Sequence, residues 1–204
     1  MVSVFLYKKL PDGTLAPAEK DGKVIVIVEN LMVKVFENGV ELKKFQFKPL
    51  GQERVLLNRL KEIITKTGIN VDENYALAYP DVKTRILKLN QLIGLVFEDY
   101  VHNQLLNTGL RVERNNDKRV LSLPRLGAMI HNKPDFLVEN KIAIEAKTGY
   151  YSHEQIEDYE KIYDIGAVVF PWSGECKVRR WRCFYYLLSD VKRFVDWVKV
   201  FNRA

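Results

Sequence analysis

The sequence predicts an α/β protein: a mixed central sheet flanked by helices, preceded by a small antiparallel β-rich module. Three observations lead there. Residues 2–48 alternate short β-branched runs with turn residues, and residues from 81 onward read helix, hairpin, helix, strand, strand, helix. Between them, INVDENYALAYPD has no clear period. A soft boundary therefore falls near residue 80, giving a β-rich module of unassigned role (1–80) and a main domain (81–204).

Taken in order, VSVFLYKKL, KVIVIVEN, LMVKVF and VELKKFQF are strand-like runs. PDGT and the Asn38-Gly39 pair supply turns, because Asn and Gly accept the positive φ that tight hairpins require. GQERVLLNRLKEIITKTG then places Val55, Leu56, Leu60, Ile63 and Ile64 at helical spacing, with Gly68 as the stop. A long helix follows, capped by Asp81, ended by Gly109 and expected to kink or break around Gly94. After a basic connector come a hairpin, a helix from about Ser152, the strand GAVVF, the strand RRWRCFYYLL and a last helix. The last helix carries Val191, Phe194, Val195, Val198 and Phe201 on one side, with Trp197 extending that surface toward a homodimer contact.

The hairpin KPDFLVENKIAIEAK is apolar apart from Asp135, Glu145 and Lys147 in its strands. A buried charge is costly unless paired or metal-bound, so these three need compensation. Side chains alternate along a strand, and loop length decides which of them share a face. A three-residue loop, Glu139-Asn140-Lys141, sets Val138 opposite Ile142 and Asp135 opposite Glu145. Phe136, Val138, Ile142, Ile144 and Ala146 then make one face, and Asp135, Leu137, Ala143, Glu145 and Lys147 the other. A two-residue loop would mix Asp135 into the apolar side. Two adjacent carboxylates repel, and one lysine neutralises only part of their charge. Mg²⁺ takes carboxylate and phosphate oxygens, so the cluster has the composition of a Mg²⁺ site for phosphate-ester chemistry, with Mn²⁺ able to substitute. The bland alternative is a surface hairpin with a cross-strand salt bridge.

Composition bounds the setting. With 204 residues and 47% hydrophobic content the chain can bury a full core. Its +6 charge leans toward the half that carries the hairpin and mildly favours a polyanionic partner. Cys176 and Cys183 have neither metal-ligand spacing nor the pattern of a disulfide framework, and are read as reduced, buried thiols. The N-terminal apolar stretch is short for a signal peptide and no run approaches a membrane span, so a soluble, intracellular (cytoplasmic) protein with no membrane partner is expected.

Pro134-Asp135 followed by Glu145-Ala146-Lys147 resembles the signature of the PD-(D/E)xK, or restriction-endonuclease-like, nuclease superfamily. The similarity spans roughly residues 90–188. Gln155 and Tyr159, four apart on the next helix, resemble the QxxxY element of its RecB-like branch. Gly94-xxx-Glu98 is similar to resolvase-like members, with small archaeal or viral nucleases as loose relatives. The resemblance implies a Mg²⁺-dependent DNA nuclease acting in repair or recombination. It would hold metal through Glu98, Asp135, Glu145 and the Ala146 carbonyl, use Lys147 to assist the attacking water, and use Gln155 and Tyr159 to support the site. Asp99 competes with Glu98 for the helical ligand, the choice resting on helix rotation. Ser152-His153-Glu154-Gln155 also fits a capping box, and Tyr159 a core stripe. Two cysteines exclude the four-cysteine iron–sulfur cluster of some RecB-like nucleases.

For DNA contacts, Lys177, Arg179 and Trp181 are expected on one face of a strand and Arg180 and Arg182 on the other, with Arg111, Arg114, Lys118, Arg119 and Arg125 in a second basic segment. Charge protection of an edge strand or ordinary solvation explains them equally well. His102, His131 and His153 are weaker candidates for proton transfer. The rival reading is a non-catalytic DNA-binding or assembly protein that keeps the nuclease fold as a scaffold.

Overall fold

The computed structural model describes residues 2–12, 15–18, 22–43, 48–79, 81–115 and 133–202. It is a mixed α/β structure with two five-stranded sheets and five helices among those residues. The chain divides into two compact units, Met1–Val96 and Phe97–Ala204. None of the described helices is long and apolar enough to cross a membrane.

The first unit holds an antiparallel sheet of β1 (Val2–Lys9), β2 (Leu15–Pro17), β3 (Val24–Glu29), β4 (Met32–Glu37) and β5 (Val40–Glu41), in the order β2-β1-β3-β4-β5. Alternation sorts β3 cleanly: Val24, Val26 and Val28 are buried against Val33 and Val35 of β4, while the residues between them face outward. The β4–β5 turn uses Asn38 and Gly39 with φ of 51° and 80°, as the sequence requires. The β3–β4 turn does the same with Asn30 and Leu31, which is not legible from sequence, because leucine is a poor left-handed residue. Helix α1 (Gln52–Thr67) ends at Gly68, whose φ of 70° lets its N–H reach the Ile64 carbonyl. Its buried face is Leu56, Leu57, Leu60 and Ile63, whereas Val55, expected inside, is exposed. The short α2 is Asn74–Leu77.

Helix α3 runs unbroken from Val82 to Leu106, capped by Asp81 Oδ1, which accepts the Thr84 N–H at 2.7 Å. The helix does not break at Gly94: a lone glycine costs a helix about 1 kcal/mol in propensity but leaves the hydrogen-bond ladder intact. The second unit's sheet contains β6 (Val112–Arg114), β7 (Phe136–Val138), β8 (Ile142–Ala146), β9 (Ile165–Val169) and β10 (Arg182–Phe184), ordered β10-β9-β8-β7-β6. The β8–β9 and β9–β10 pairs are parallel and the β6–β7 and β7–β8 pairs antiparallel, so the sheet is mixed. Helix α4 (His153–Ile162) lays Ile156 and Tyr159 over Ala143 and Val168, with Tyr151, Phe170 and Trp181 completing that core. Helix α5 (Lys192–Asn202) buries Phe194 and Val198. Trp197 belongs to the same core rather than to an outer dimer surface: it is 8% exposed and packs 5.3 Å from Phe184.

Two expectations fail between residues 171 and 184, for one reason. The strand foreseen from Arg179 shrinks to Arg182–Phe184, because the backbone before it bonds elsewhere. The buried Glu160 carboxylate accepts the N–H groups of Arg179, Arg180 and Trp181 at 2.9, 2.7 and 2.9 Å. Donors held by a side chain cannot join a strand ladder, so the chain curls. The curl brings Cys176 against Cys183 with Cα atoms 6.3 Å apart, and the two form a disulfide rather than free thiols. An extended strand would have held them roughly 23 Å apart at about 3.3 Å per residue. Closing so short a loop is worth about 2 kcal/mol by the chain-entropy relation. Reductant should therefore lower the denaturation midpoint of the wild type and leave a Cys176→Ser/Cys183→Ser protein unchanged, read by chemical unfolding with and without dithiothreitol.

Candidate active site

The hairpin turns on Glu139 and Asn140, both left-handed (φ 51° and 54°), and Lys141 N–H closes it on the Val138 carbonyl at 3.0 Å. Val138 pairs with Ile142, Leu137 with Ala143 and Phe136 with Ile144. This is the three-residue-loop register, and it carries Asp135 and Glu145 onto one face. A surface hairpin is ruled out by burial: every residue of β8 is buried, and Glu145 is 1% exposed.

The charged groups hold one another. Glu145 Oε2 accepts the Asp135 N–H at 3.1 Å, and Asp135 Oδ2 accepts the Ala146 N–H at 2.8 Å. Lys147 Nζ donates to Glu145 Oε1 at 2.5 Å. Burial, and then the nearby Asp135 charge, push the Glu145 carboxyl up, while Lys147 pulls the other way. From α3, Glu98 joins the same field: burial and the Asp135 charge raise its pKa to about 7 against the opposing pull of Arg114. Arg114 Nη2 lies 3.6 Å from Glu98, and its Nη1 lies 2.6 Å from Asp99. The arginine thus lies closer to Asp99 than to Glu98, while Glu98 feels the Asp135 charge.

Comparison with protein-family models, curated proteins and solved structures finds no significant match to this chain.

Gln155 does not act as a capping side chain: the Ser152 cap of α4 has no side-chain hydrogen bond. Gln155 Nε2 instead donates to Tyr159 Oη at 2.7 Å, and Tyr159 donates to the Lys133 carbonyl at 3.0 Å. This fully buried tyrosine anchors the chain two residues before Asp135. His102 stacks on Phe136 at 5.8 Å; burial and Arg114 lower its pKa, which suits a neutral packing ring.

The basic residues come out differently from expectation. Lys177, Arg179 and Arg180 precede β10 and sit in the curl, so they do not share strand faces with Arg182. Each has an acidic neighbour: Glu175 at 2.8 Å, Glu157 at 3.3 Å and Asp164 at 3.2 Å respectively. Trp181 is buried and donates its indole N–H to the Tyr163 carbonyl at 3.0 Å, so it is unavailable for base stacking. Arg125, with Lys118, Arg119 and His131, lies outside the described residues.

Among the described residues, no three Asp, Glu, His or Cys side chains form a ready-made metal cage. Asp135, Glu145 and Glu98 offer only carboxyl oxygens, the donor type that Mg²⁺ takes, and Asp135 repels the other two. That repulsion has a pH consequence. A carboxyl whose folded pKa is raised favours the native state below its unfolded value near 4.5 and loses that contribution as pH climbs through about 7. In chelator, Glu98→Gln should therefore gain melting temperature over the wild type between pH 5 and pH 8. An offset between the two that stays constant with pH would show that the Glu98 carboxyl titrates normally.

Proposed function

We propose that this chain is a Mg²⁺-dependent DNA nuclease of the restriction-endonuclease-like fold, with its centre at Asp135, Glu145 and Lys147. One observation carries the reading. Asp135, immediately before β7, and Glu145 on β8 meet on one face at the end of a mostly apolar hairpin, and a lysine two residues on reaches back to the buried Glu145. Structural ion pairs rarely need a second, repelling carboxylate, since removing it would lower the energy of the folded chain. Support also comes from the mixed sheet, whose parallel β8–β9–β10 side carries α4, and from Glu98 on the preceding helix feeling the Asp135 charge.

Asp135, Glu145 and Glu98 would hold the ion, with the Ala146 carbonyl as a further donor. When bound, a divalent ion supplies an activated water and charge neutralisation at a phosphate. The residues do the rest. Lys147 would orient a water and offset charge growing on a non-bridging phosphate oxygen. Gln155 and Tyr159 fix the Lys133 carbonyl and so the approach of Asp135. Arg114 holds Asp99 aside. Homodimerisation would suit cutting of both strands.

The rival reading, a DNA-binding scaffold without catalysis, is favoured by a different observation: both hairpin carboxylates accept hydrogen bonds from strand N–H groups, which alone stabilises them. Incubation of the full chain with linear, single-stranded, circular and branched DNA, with Mg²⁺, Mn²⁺ or chelator, separates the two. Metal-dependent cutting is the expected result, and persistent binding without cutting would leave the scaffold.

A further inference from the structure

Beside Lys147 lies a cavity of about 230 Å³ that the metal-centred reading does not use. Tyr150, Tyr151, His153, Phe170 and Ser173 are among its walls. The rings are organised rather than scattered. Tyr151 stands 4.8 Å from His153 and 6.1 Å from Phe170, and Tyr185 stacks on Phe170 at 5.3 Å with 16° between planes. Backbone contacts hold them: Tyr151 Oη accepts the Lys177 N–H at 3.2 Å, and Gly174 presses so close that a Cβ there would lie 2.6 Å from the Phe170 ring. Lys147 Nζ sits 5.9 Å from the centre of the Tyr151 ring, and Tyr150 is 96% exposed.

We propose that this cavity receives one unstacked nucleobase of the strand whose phosphate lies at Lys147, an inference that rests on nucleic acid being the partner. Size is the first reason: the volume falls below the roughly 300 Å³ at which drug-sized sites begin, and so suits a single ring system. Chemistry is the second. The exposed Tyr150 ring can stack on any base because every base has a π-face, over a floor set by the buried Tyr151 and Phe170, and the Lys147 cation in the wall meets the anionic chain that must follow the base in. A base inside a paired duplex cannot reach such a recess, so the strand engaged is single-stranded or locally unpaired. Tyr150 is the freely exposed ring that closes on the entering base.

The test is binding by the full chain without cleavage, in chelator and in Ca²⁺. A labelled single strand is compared with its duplex and with versions carrying one abasic site moved along the strand. Removing the seated base should cost about 5- to 150-fold in affinity at one position, the range of a lost base–aromatic stack, and the duplex should bind more weakly than the strand. Tyr150→Ala and Ser173→Trp, both at exposed positions, should abolish that positional penalty while leaving the affinity of the abasic strand unchanged. A flat abasic scan, or variants that bind as the wild type does, overturns the pocket whether or not DNA is cut. A position-specific penalty without any cutting in Mg²⁺ keeps the pocket and removes the nuclease. Failure to bind any strand removes both.

Discussion

Asp135→Asn is expected to abolish Mg²⁺-dependent DNA cleavage and, at the same time, to raise the melting temperature of the metal-free protein. The two effects share a cause. Burial first, and then Asp135, raises the carboxyl pKa of both Glu98 and Glu145, so the Asp135 charge destabilises the fold by opposing theirs. An asparagine keeps an oxygen able to accept the Ala146 N–H, as Asp135 Oδ2 does at 2.8 Å, but takes the charge away. Stability gained while activity is lost marks a site whose strain is functional. Lys147→Met should be as inactive, by about 10²–10³-fold or more, the usual effect of removing one group that stabilises transition-state charge. It should still fold, because a buried carboxyl already pushed upward can take a proton once its lysine partner is gone. Gel-based cleavage in Mg²⁺ and melting in chelator measure the two sides. Undiminished cleavage by either purified variant would refute the assignment, and a lower melting temperature for Asp135→Asn would mean that its carboxylate is there for structure.

What the sequence made legible was whatever depends on near neighbours in the chain. The period-two alternation and the Asn140 turn fix the hairpin register, so Asp135 and Glu145 are found together from spacing alone. Gly68 and Asp81 announce helix ends because caps are local chemistry. The errors lie where a distant residue decides. Nothing near Arg179 signals that Glu160, on α4, will collect three consecutive N–H groups, and that one carboxylate both shortens β10 and bends the chain into the disulfide. Trp181 reads as a solvent-facing aromatic among arginines until the small residues that make room for it are seen across the sheet. The aromatic cavity beside Lys147 is not legible in the sequence for the same reason. Its walls come from segments about twenty residues apart, and the one local clue was the pair Tyr150-Tyr151 immediately after the Glu145-Ala146-Lys147 stretch.

Gly166→Ala should be the most damaging glycine-to-alanine change among the described residues of the second unit, costing about 3 kcal/mol or more, at the upper end for overpacking. Gly166 lies on β9 opposite Ala143 of β8, and this pair of small residues opens a slot on the sheet. The Trp181 indole fills it: a Cβ at Gly166 would stand 2.1 Å from one ring carbon and 2.3 Å from another. The ring has little freedom to withdraw. Its Nε1 is held on the Tyr163 carbonyl, its backbone N–H on Glu160, and its face against Tyr159 at 6.1 Å and 18°. Displacing it would loosen Tyr159, the residue that anchors the Lys133 carbonyl, so the disturbance runs toward Asp135 as well. A double-mutant cycle separates this clash from a general intolerance of the strand. Trp181→Ala alone should cost about 3–5 kcal/mol through the cavity it leaves, and adding Gly166→Ala should cost almost nothing further, because the atoms that clashed are gone. Simple additivity of the two in urea unfolding would mean that the glycine is required by its backbone, and that the indole is not what excludes a side chain at this position.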